Sequence, residues 1–179
     1  GLEGWMPSTA PTSGDSFYGV DRSTHTRLSG ARFTGTSVTL EEALISGQSK
    51  AAVIGGRPDY AFMHPVQFRE LVKSLGSRVH YMDVSVGKIG FRALEVHGGT
   101  GPIKVGADMS CPSNVVWLLQ MDTWKLYTSG PAPKILDEDG LKFLRQATSD
   151  GYEVRWGYRG NLACDFPGAN VRISVNNAT

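Results

Sequence analysis

YEVRWGYRGNLACDF, residues Tyr152–Phe166, alternates between two kinds of position along its whole length. The even-numbered positions are mostly aromatic or aliphatic, and the odd-numbered positions are mostly charged or polar. Period two is typical of a β-strand with one face against protein and the other against solvent. The side chains predicted to share the buried face are those of Tyr152, Val154, Trp156, Tyr158 and Leu162.

The predicted strand is unusually long. Its fifteen residues would span about 50 Å, whereas typical strands span about 20 Å. A ribbon of this length suits a surface that lies along neighbouring subunits, and a bend at Gly157 or Gly160 would divide it. The segment ANVRISV, Ala169–Val175, is predicted to pair back on the ribbon as a final strand.

Composition indicates an ordinary folded chain. Its 179 residues are 40% hydrophobic and 20% charged, close to the average for globular proteins, so we expect one domain or one domain with an extension. Basic and acidic residues number 18 and 17. The chain is therefore nearly neutral, and we expect no strong electrostatic attraction to nucleic acid or to a membrane surface. The longest strongly apolar run, Val115–Leu119, is far shorter than the roughly 20 residues of a membrane helix.

Two helices are predicted from their end signals. Thr39 and Glu42 form a capping box, so a helix should begin directly after Thr39. A short buried strand, Tyr60–Met63, precedes a second helix with Pro65 in its first turn and Gly76 just past its end. The apolar stripe of the second helix is Phe68, Leu71, Val72 and Leu75.

The rest of the chain reads as strands and loops. Residues 1–37 are rich in Gly, Ser, Thr and Pro, and we expect them to form a long arm or loop packed on other parts of the protein. From Val84 onward, short β-branched or aromatic runs alternate with turn residues. These predicted strands are KIGFRALEV, GPIKVG, NVVWLLQ and WKLYT.

One serine imitates a catalytic nucleophile. Gly14-Asp15-Ser16 is similar to the nucleophile segment of two hydrolase classes. The lipase class also needs an Asp-x-x-His near the C-terminus, but no such motif occurs and the last histidine is His97. In the chymotrypsin arrangement the serine follows the histidine and the aspartate, whereas Ser16 precedes every histidine. A loop serine is favoured, with a small serine hydrolase as an alternative.

Metal-ligand patterns are equally incomplete. The histidines, His25, His64, His80 and His97, do not fall at metal-ligand spacing, and His64 is expected to end a strand or cap the following helix. The carboxylates of Asp137, Glu138 and Asp139 lack the alternating oxygens and final glutamate of a calcium loop, so they predict a solvated turn.

The cysteines, Cys111 and Cys164, are interpreted as two reduced, half-buried thiols. A disulfide between them is the other possibility that the sequence leaves open. Two cysteines alone cannot make a structural zinc site. We therefore predict no catalytic residue, no cofactor site and no metal site, and we do not expect an enzyme.

Eight segments follow one another along nearly the whole chain in a distinctive order. They are GLEGW, FYGVDRST, TLEEAL, PDYAFMHPVQFRELVKSLG, GKIGFRALEVHG, GPIKVGADMSCP, DTWKLYTSG and DGYEVRWGYRGNLACDFPGANVRI. Their order and spacing, more than any one segment, resemble the major capsid proteins of tailed bacteriophages, the Hong Kong 97 type of shell protein.

This resemblance implies an α+β subunit with two parts. A globular axial domain, a mixed sheet with flanking helices, would occupy residues 39–148. An elongated peripheral β-ribbon would include the long strands of residues 149–179, and residues 1–38 would form an arm or loop and a peripheral segment. Family members begin with an N-terminal arm, an extended loop and a spine helix that are not seen before Gly1. We therefore expect this chain to be the C-terminal portion of such a subunit.

The function that the resemblance implies is structural. Copies of the chain would associate into pentamers and hexamers of an icosahedral shell that encloses double-stranded DNA. The implied partners are further copies of the chain, scaffold or decoration proteins, and packaged DNA in non-specific contact, with no cofactor and no membrane. The protein would be made in the host cytoplasm and located in the virion. An encapsulin-like nanocompartment shell protein is the alternative of the same fold.

Overall fold

A computed structural model describes residues 1–76, 81–82, 93–130, 133–137 and 140–176. Its helices are α1 (Leu2–Trp5), α2 (Leu40–Val53) and α3 (Pro65–Leu75). The strands in the first part of the chain are β1 (Ser16–Phe17), β2 (Val20–Asp21), β3 (Ala31–Thr34), β4 (Tyr60–Met63), β5 (Tyr81–Met82), β6 (Ala93–Gly98), β7 (Gly101–Ala107) and β8 (Val115–Leu119). The later strands are β9 (Trp124–Thr128), β10 (Lys134–Ile135), β11 (Leu144–Arg145), β12 (Tyr152–Glu153), β13 (Trp156–Gly157), β14 (Gly160–Cys164) and β15 (Val171–Ser174).

The chain divides into two compact units. The first unit comprises residues 1–124 and 164–179, and the second comprises residues 125–163. Helices and strands both contribute to the first unit, so the chain belongs to the α+β class, which the resemblance also implies. The second unit contains short strands in its described part.

A seven-stranded mixed sheet organises the first unit, in the order β3-β15-β8-β4-β7-β6-β5. Two of its pairings are parallel, β15 with β3 and β4 with β7. The other pairings are antiparallel: β8 pairs with β15 and with β4, β6 pairs with β7, and β5 pairs with β6. The central strand β8 is buried along its whole length, as expected for a strand with protein on both faces.

One face of the sheet carries α2 and α3, and the main hydrophobic core lies between them. The predicted start of α2 and the predicted start and end of α3 are confirmed. The Thr39 hydroxyl accepts the Glu42 backbone N–H at 3.3 Å. Gly76, directly after α3, has a positive φ of 52°, which glycine adopts without steric cost. The predicted stripe of α3 packs in this core, where Leu71 is fully buried.

The opposite face of the sheet carries a smaller apolar cluster. Its buried members are Met6, Cys111, Val115, Trp117 and Leu119. The buried Trp5 ring lies edge-on to Trp124, with ring centroids 6.4 Å apart. The N-terminal segment that we expected to be an arm or loop therefore contributes to the first unit, both through this cluster and through β3.

The prediction of one long strand over Tyr152–Phe166 is wrong. The segment forms three short strands, β12, β13 and β14, which pair with β11, β10 and β9 respectively. Gly157 is the last residue of β13, and a Cβ at that position would approach the Leu136 side chain to 2.7 Å. The two-residue period predicted which side chains alternate along the segment. Each of the three short strands pairs with a different strand, so the described residues of this segment form no continuous ribbon.

The final strand also differs from its prediction. Val171–Ser174 does not pair with the ribbon but lies inside the large sheet, parallel to β3 and antiparallel to β8. Val171 and Ile173 are fully buried in the main core, which explains the placement. The predicted segments 1–38, 39–148 and 149–179 stay a prediction.

Candidate functional site

The serine that is similar to a catalytic nucleophile has no described hydrogen bond to a general base. Ser16 is exposed at the start of β1, and no described hydrogen bond joins it to a histidine. The neighbouring Asp15 carboxylate faces Arg22, with 3.7 Å between Oδ1 and Nη2. A nucleophilic serine needs a base within hydrogen-bond reach, so this geometry lends no support to the hydrolase alternative.

The histidines that the structure describes have separate surroundings. His64 caps α3, as predicted, because its Nδ1 accepts the Val66 backbone N–H at 3.3 Å. His97 is exposed, and its Nε2 lies 3.7 Å from a Glu95 carboxylate oxygen. His80 lies outside the described residues. Across the described part of the chain, no group of three or more His, Cys, Asp or Glu residues could hold a metal ion.

The acidic triplet is described only at its first residue. Asp137 is exposed two residues after β10, while Glu138 and Asp139 lie outside the described residues. The prediction of a solvated turn is therefore tested by experiment rather than by geometry.

We expect the triple substitution Asp137→Asn, Glu138→Gln, Asp139→Asn to shift the melting temperature little, because the calcium-loop spacing is incomplete. Adding calcium or a chelator to the unsubstituted protein should have no effect. A calcium-dependent stabilisation of several kcal/mol, of the size that mass action gives at saturating ligand, would contradict this expectation.

The two cysteines are free thiols, as the favoured interpretation predicted, and both are buried. Burial raises the pKa of the Cys111 thiol to about 11 and also raises the pKa of Cys164. The Cys164 sulfur lies 3.6 Å from the Thr123 hydroxyl. Since the thiolate is the reactive form, both cysteines are poor nucleophiles and poor metal ligands at neutral pH.

We expect the native protein to react with iodoacetamide at pH 8 far more slowly than the urea-unfolded protein. At that pH a thiol with the pKa of Cys111 is ionised to only about one part in a thousand. Intact-mass measurement after unfolding without reductant should show two alkylated thiols. A pair that reacts only after reduction would instead reveal a disulfide.

The second unit presents an unusual surface. None of its described residues is buried, and it contributes nothing to either hydrophobic cluster of the protein. Most of the face predicted to be buried is exposed instead, since Tyr152 is 76% exposed and Trp156 is 67% exposed, while Leu162 is half-buried. The exposed hydrophobic set of this unit is Leu126, Tyr127, Leu141, Phe143, Tyr152, Val154, Trp156 and Tyr158.

Backbone pairing holds the second unit together. β10 pairs with β13 and β11 pairs with β12, each over two residues of antiparallel ladder. Further backbone bonds extend these ladders, from Leu136 N–H to the Arg155 carbonyl at 2.8 Å and from Gln146 N–H to the Gly151 carbonyl at 3.0 Å. Two-stranded ladders are marginal in water without a hydrophobic face to pack on.

Two arginines lie side by side on the large sheet of the first unit, a third lies within electrostatic range, and sequence reasoning missed all three. Arg32 and Arg172 are register partners on β3 and β15. Their neighbours Ala31 and Val171 pack in or against the main core, so the two arginines lie on the other face. Arg22 is buried, and its charge contributes to lowering the pKa of Arg32. The alternation of arginine with apolar residues in ARF and VRI was the available signal.

No model of a known protein family matches this chain, and no curated protein sequence matches it significantly. The likeness to capsid proteins therefore rests on the order and spacing of the sequence segments quoted above. In the part of the chain that the structure describes, no helix has the length and apolarity needed to cross a membrane.

Proposed function

We propose that this chain is a structural subunit that assembles with copies of itself into the icosahedral shell of a tailed bacteriophage. The observation that carries the proposal is the second unit, whose described residues include eight large exposed hydrophobic side chains and no buried residue. The class of protein is a shell protein of the Hong Kong 97 type.

A surface of this kind favours association. The second unit spans residues 125–163, and chains below about 40 residues need disulfides, metals or oligomerisation to be stable. Both described cysteines lie outside this unit. Contact with a partner would cover the exposed hydrophobic set and add stability that the two-stranded ladders lack.

Several features favour further copies of the same chain as that partner. Lysines and arginines nearly balance aspartates and glutamates in residues 125–163, so two such surfaces do not repel each other strongly. Repeated contacts between identical subunits end in closed symmetric assemblies. The short ladders also leave strand edges to which a strand from a neighbour can pair.

The two-unit organisation is compatible with the family that the sequence resembles. The mixed sheet with α2 and α3 on one face would serve as the axial domain. The ladders of residues 125–163 would serve as the peripheral domain. On this proposal the partners are pentamers and hexamers of the same chain, packaged double-stranded DNA in non-specific contact, and any scaffold or decoration protein, and the location is the virion.

The proposal is tested by expressing the complete gene product, whatever its length, and examining it by sedimentation and negative-stain electron microscopy. We expect capsomers or closed shells. Particles from the natural source should contain double-stranded DNA, whereas shells filled with protein cargo would favour the nanocompartment alternative. A product that stays monomeric across a wide range of salt and concentration, and that no co-expressed partner gene assembles, would overturn the proposal.

A further inference from the structure

The three arginines that meet in the first unit have a distinctive geometry. Arg32 and Arg172 stand opposite each other on the parallel strands β3 and β15. Arg22 directly follows β2. The pKa of Arg32 is lowered by burial and then by the charges of Arg172 and Arg22, so both of these guanidinium groups lie within electrostatic range of Arg32. Arg22 and Arg172 also reach adjacent residues of the N-terminal segment, the Gly4 carbonyl and the Glu3 carboxylate.

Two of these side chains are almost completely buried and incompletely bonded. Arg22 is 7% exposed and Arg172 is 8% exposed. Arg22 donates from Nη1 to the Gly4 carbonyl at 2.9 Å, and Arg172 donates from Nη1 to the Ser174 hydroxyl at 3.2 Å. The Nε atoms of both have no hydrogen-bond partner. Buried charges are normally paired and fully hydrogen-bonded, so both arginines require a further explanation.

Aromatic rings cover one side of each buried guanidinium. The Arg22 guanidinium carbon lies 4.2 Å from the centroid of the Phe17 ring. The Arg172 guanidinium carbon lies 5.6 Å from the Trp117 ring centroid. These contacts orient the guanidinium groups and supply part of the missing stabilisation. They provide no hydrogen-bond acceptor and no full negative charge.

The available counter-charges are distant. Asp15 Oδ1 lies 3.7 Å from Arg22 Nη2, and Glu3 Oε1 lies 3.9 Å from Arg172 Nη2, so both distances exceed that of a hydrogen bond. The Glu3 side chain is 70% exposed, which weakens its interaction further. Three guanidinium groups face these two carboxylates, and Arg32 has no carboxylate within ion-pair distance among the described residues. The cluster therefore carries an excess of positive charge.

We propose that Arg22, Arg32 and Arg172 form a binding site for one oxyanion, a carboxylate or a phosphate group. The guanidinium fork matches the paired oxygens of both groups, and one added anion would balance the local charge. Arg32 is the adaptable member, because it is only partly buried and its bonds to Ser29 are long, 3.3 and 3.5 Å. The site does not depend on the shell function proposed above.

The test is a titration of the full chain with inorganic phosphate and, in parallel, with acetate, at pH 7 and at constant ionic strength set with sodium chloride. Thermal unfolding and calorimetry should both show saturable binding of at least one probe. The probe that binds more tightly identifies the oxyanion. We expect Arg32→Gln to weaken that binding about tenfold, which corresponds to the loss of one charge-assisted hydrogen bond.

Two variants separate binding from structure. Arg57→Gln makes the same charge change at an exposed side chain outside the cluster, and it should bind the probe as the unsubstituted protein does. Arg32→Lys keeps the charge without the fork and should show intermediate affinity, and it decides the matter if Arg32→Gln does not fold. The proposal would be overturned if neither phosphate nor acetate stabilised the protein more than sodium chloride does. It would also be overturned if Arg32→Gln and the unsubstituted chain bound the probe with equal affinity.

Discussion

Replacing Tyr152 and Trp156 together with serine is expected to leave the subunit folded and to prevent its assembly into shells. Both side chains lie on short strands of the second unit and are mostly exposed, at 76% and 67%. In the isolated subunit the two substitutions should therefore change the free energy of unfolding by less than about 1 kcal/mol. In an assembly the same rings would be covered, so their loss would weaken every contact.

The expected size of the effect follows from area. A tryptophan offers about 150 to 250 Å² for burial, and Trp156 leaves 67% of its surface exposed. At about 25 cal/mol per Å², covering that surface contributes about 3 to 4 kcal/mol per contact. Losing it weakens each contact by about a hundredfold or more. Because a shell depends on many linked contacts, assembly should fail altogether at micromolar protein.

Val53→Ser is the matched control. Val53 is 88% exposed at the end of α2 in the first unit, so this variant also removes an exposed apolar side chain. Sedimentation and electron microscopy of the complete gene product should show shells for the control and unassembled subunits for the double variant. Shells that form equally well with Tyr152 and Trp156 replaced would contradict the assignment of the exposed hydrophobic set as the contact surface.

Asn170→Ala is expected to destabilise the first unit by about 3 to 5 kcal/mol. Asn170 is fully buried between the turn after β14 and the start of β15. Its Oδ1 accepts the Gln120 backbone N–H and the Trp124 indole N–H, both at 2.8 Å. Its Nδ2 donates to the Phe166 carbonyl at 3.0 Å. One side chain thus connects segments that are about 50 residues apart in the sequence.

The loss of unfolding free energy arises from the polar groups that the substitution leaves without a hydrogen-bond partner. Truncation removes the acceptor of the Gln120 backbone N–H and of the Trp124 indole N–H. The Phe166 carbonyl loses one donor but still accepts the Ala169 backbone N–H at 3.2 Å. Each buried polar group without a partner costs about 1 to 3 kcal/mol. Water that enters the space would reduce the total. Urea unfolding, monitored by tryptophan fluorescence, measures the change directly.

Asn114→Ala provides the comparison, because Asn114 is exposed and its side chain makes no described hydrogen bond. Its stability should stay within about 0.5 kcal/mol of the unsubstituted protein. Similar midpoints for Asn170→Ala and Asn114→Ala would mean that the hydrogen-bond network around Asn170 does not stabilise the fold.

Local signals predicted the elements that are defined by neighbouring residues. The capping box at Thr39, the His64 cap of α3 and Gly76 at its end all act within a few residues, and all three are confirmed. The strand β4 was predicted between its turn signals for the same reason. Ser16, which sequence reasoning set aside as a nucleophile, is exposed, and no described hydrogen bond joins it to a histidine.

Long-range pairing is what the sequence left undecided. Both Tyr152–Phe166 and Val171–Ser174 have a strand-like pattern, yet the first divides among three partners and the second lies in the large sheet. Periodicity states which side chains share a face, since successive residues of a strand point to opposite sides. It does not state which strand lies alongside, because that depends on packing between residues far apart in the chain.

The sequence by itself determined the start of α2, both ends of α3, and the alternation that places Tyr152 and Trp156 together with other apolar residues. Only the tertiary structure decided that these rings face solvent and that Arg22, Arg32 and Arg172 meet. The physical reason is the same in both cases. Burial and charge proximity are properties of the surroundings of a side chain, and those surroundings come from segments that its own neighbours in sequence do not specify.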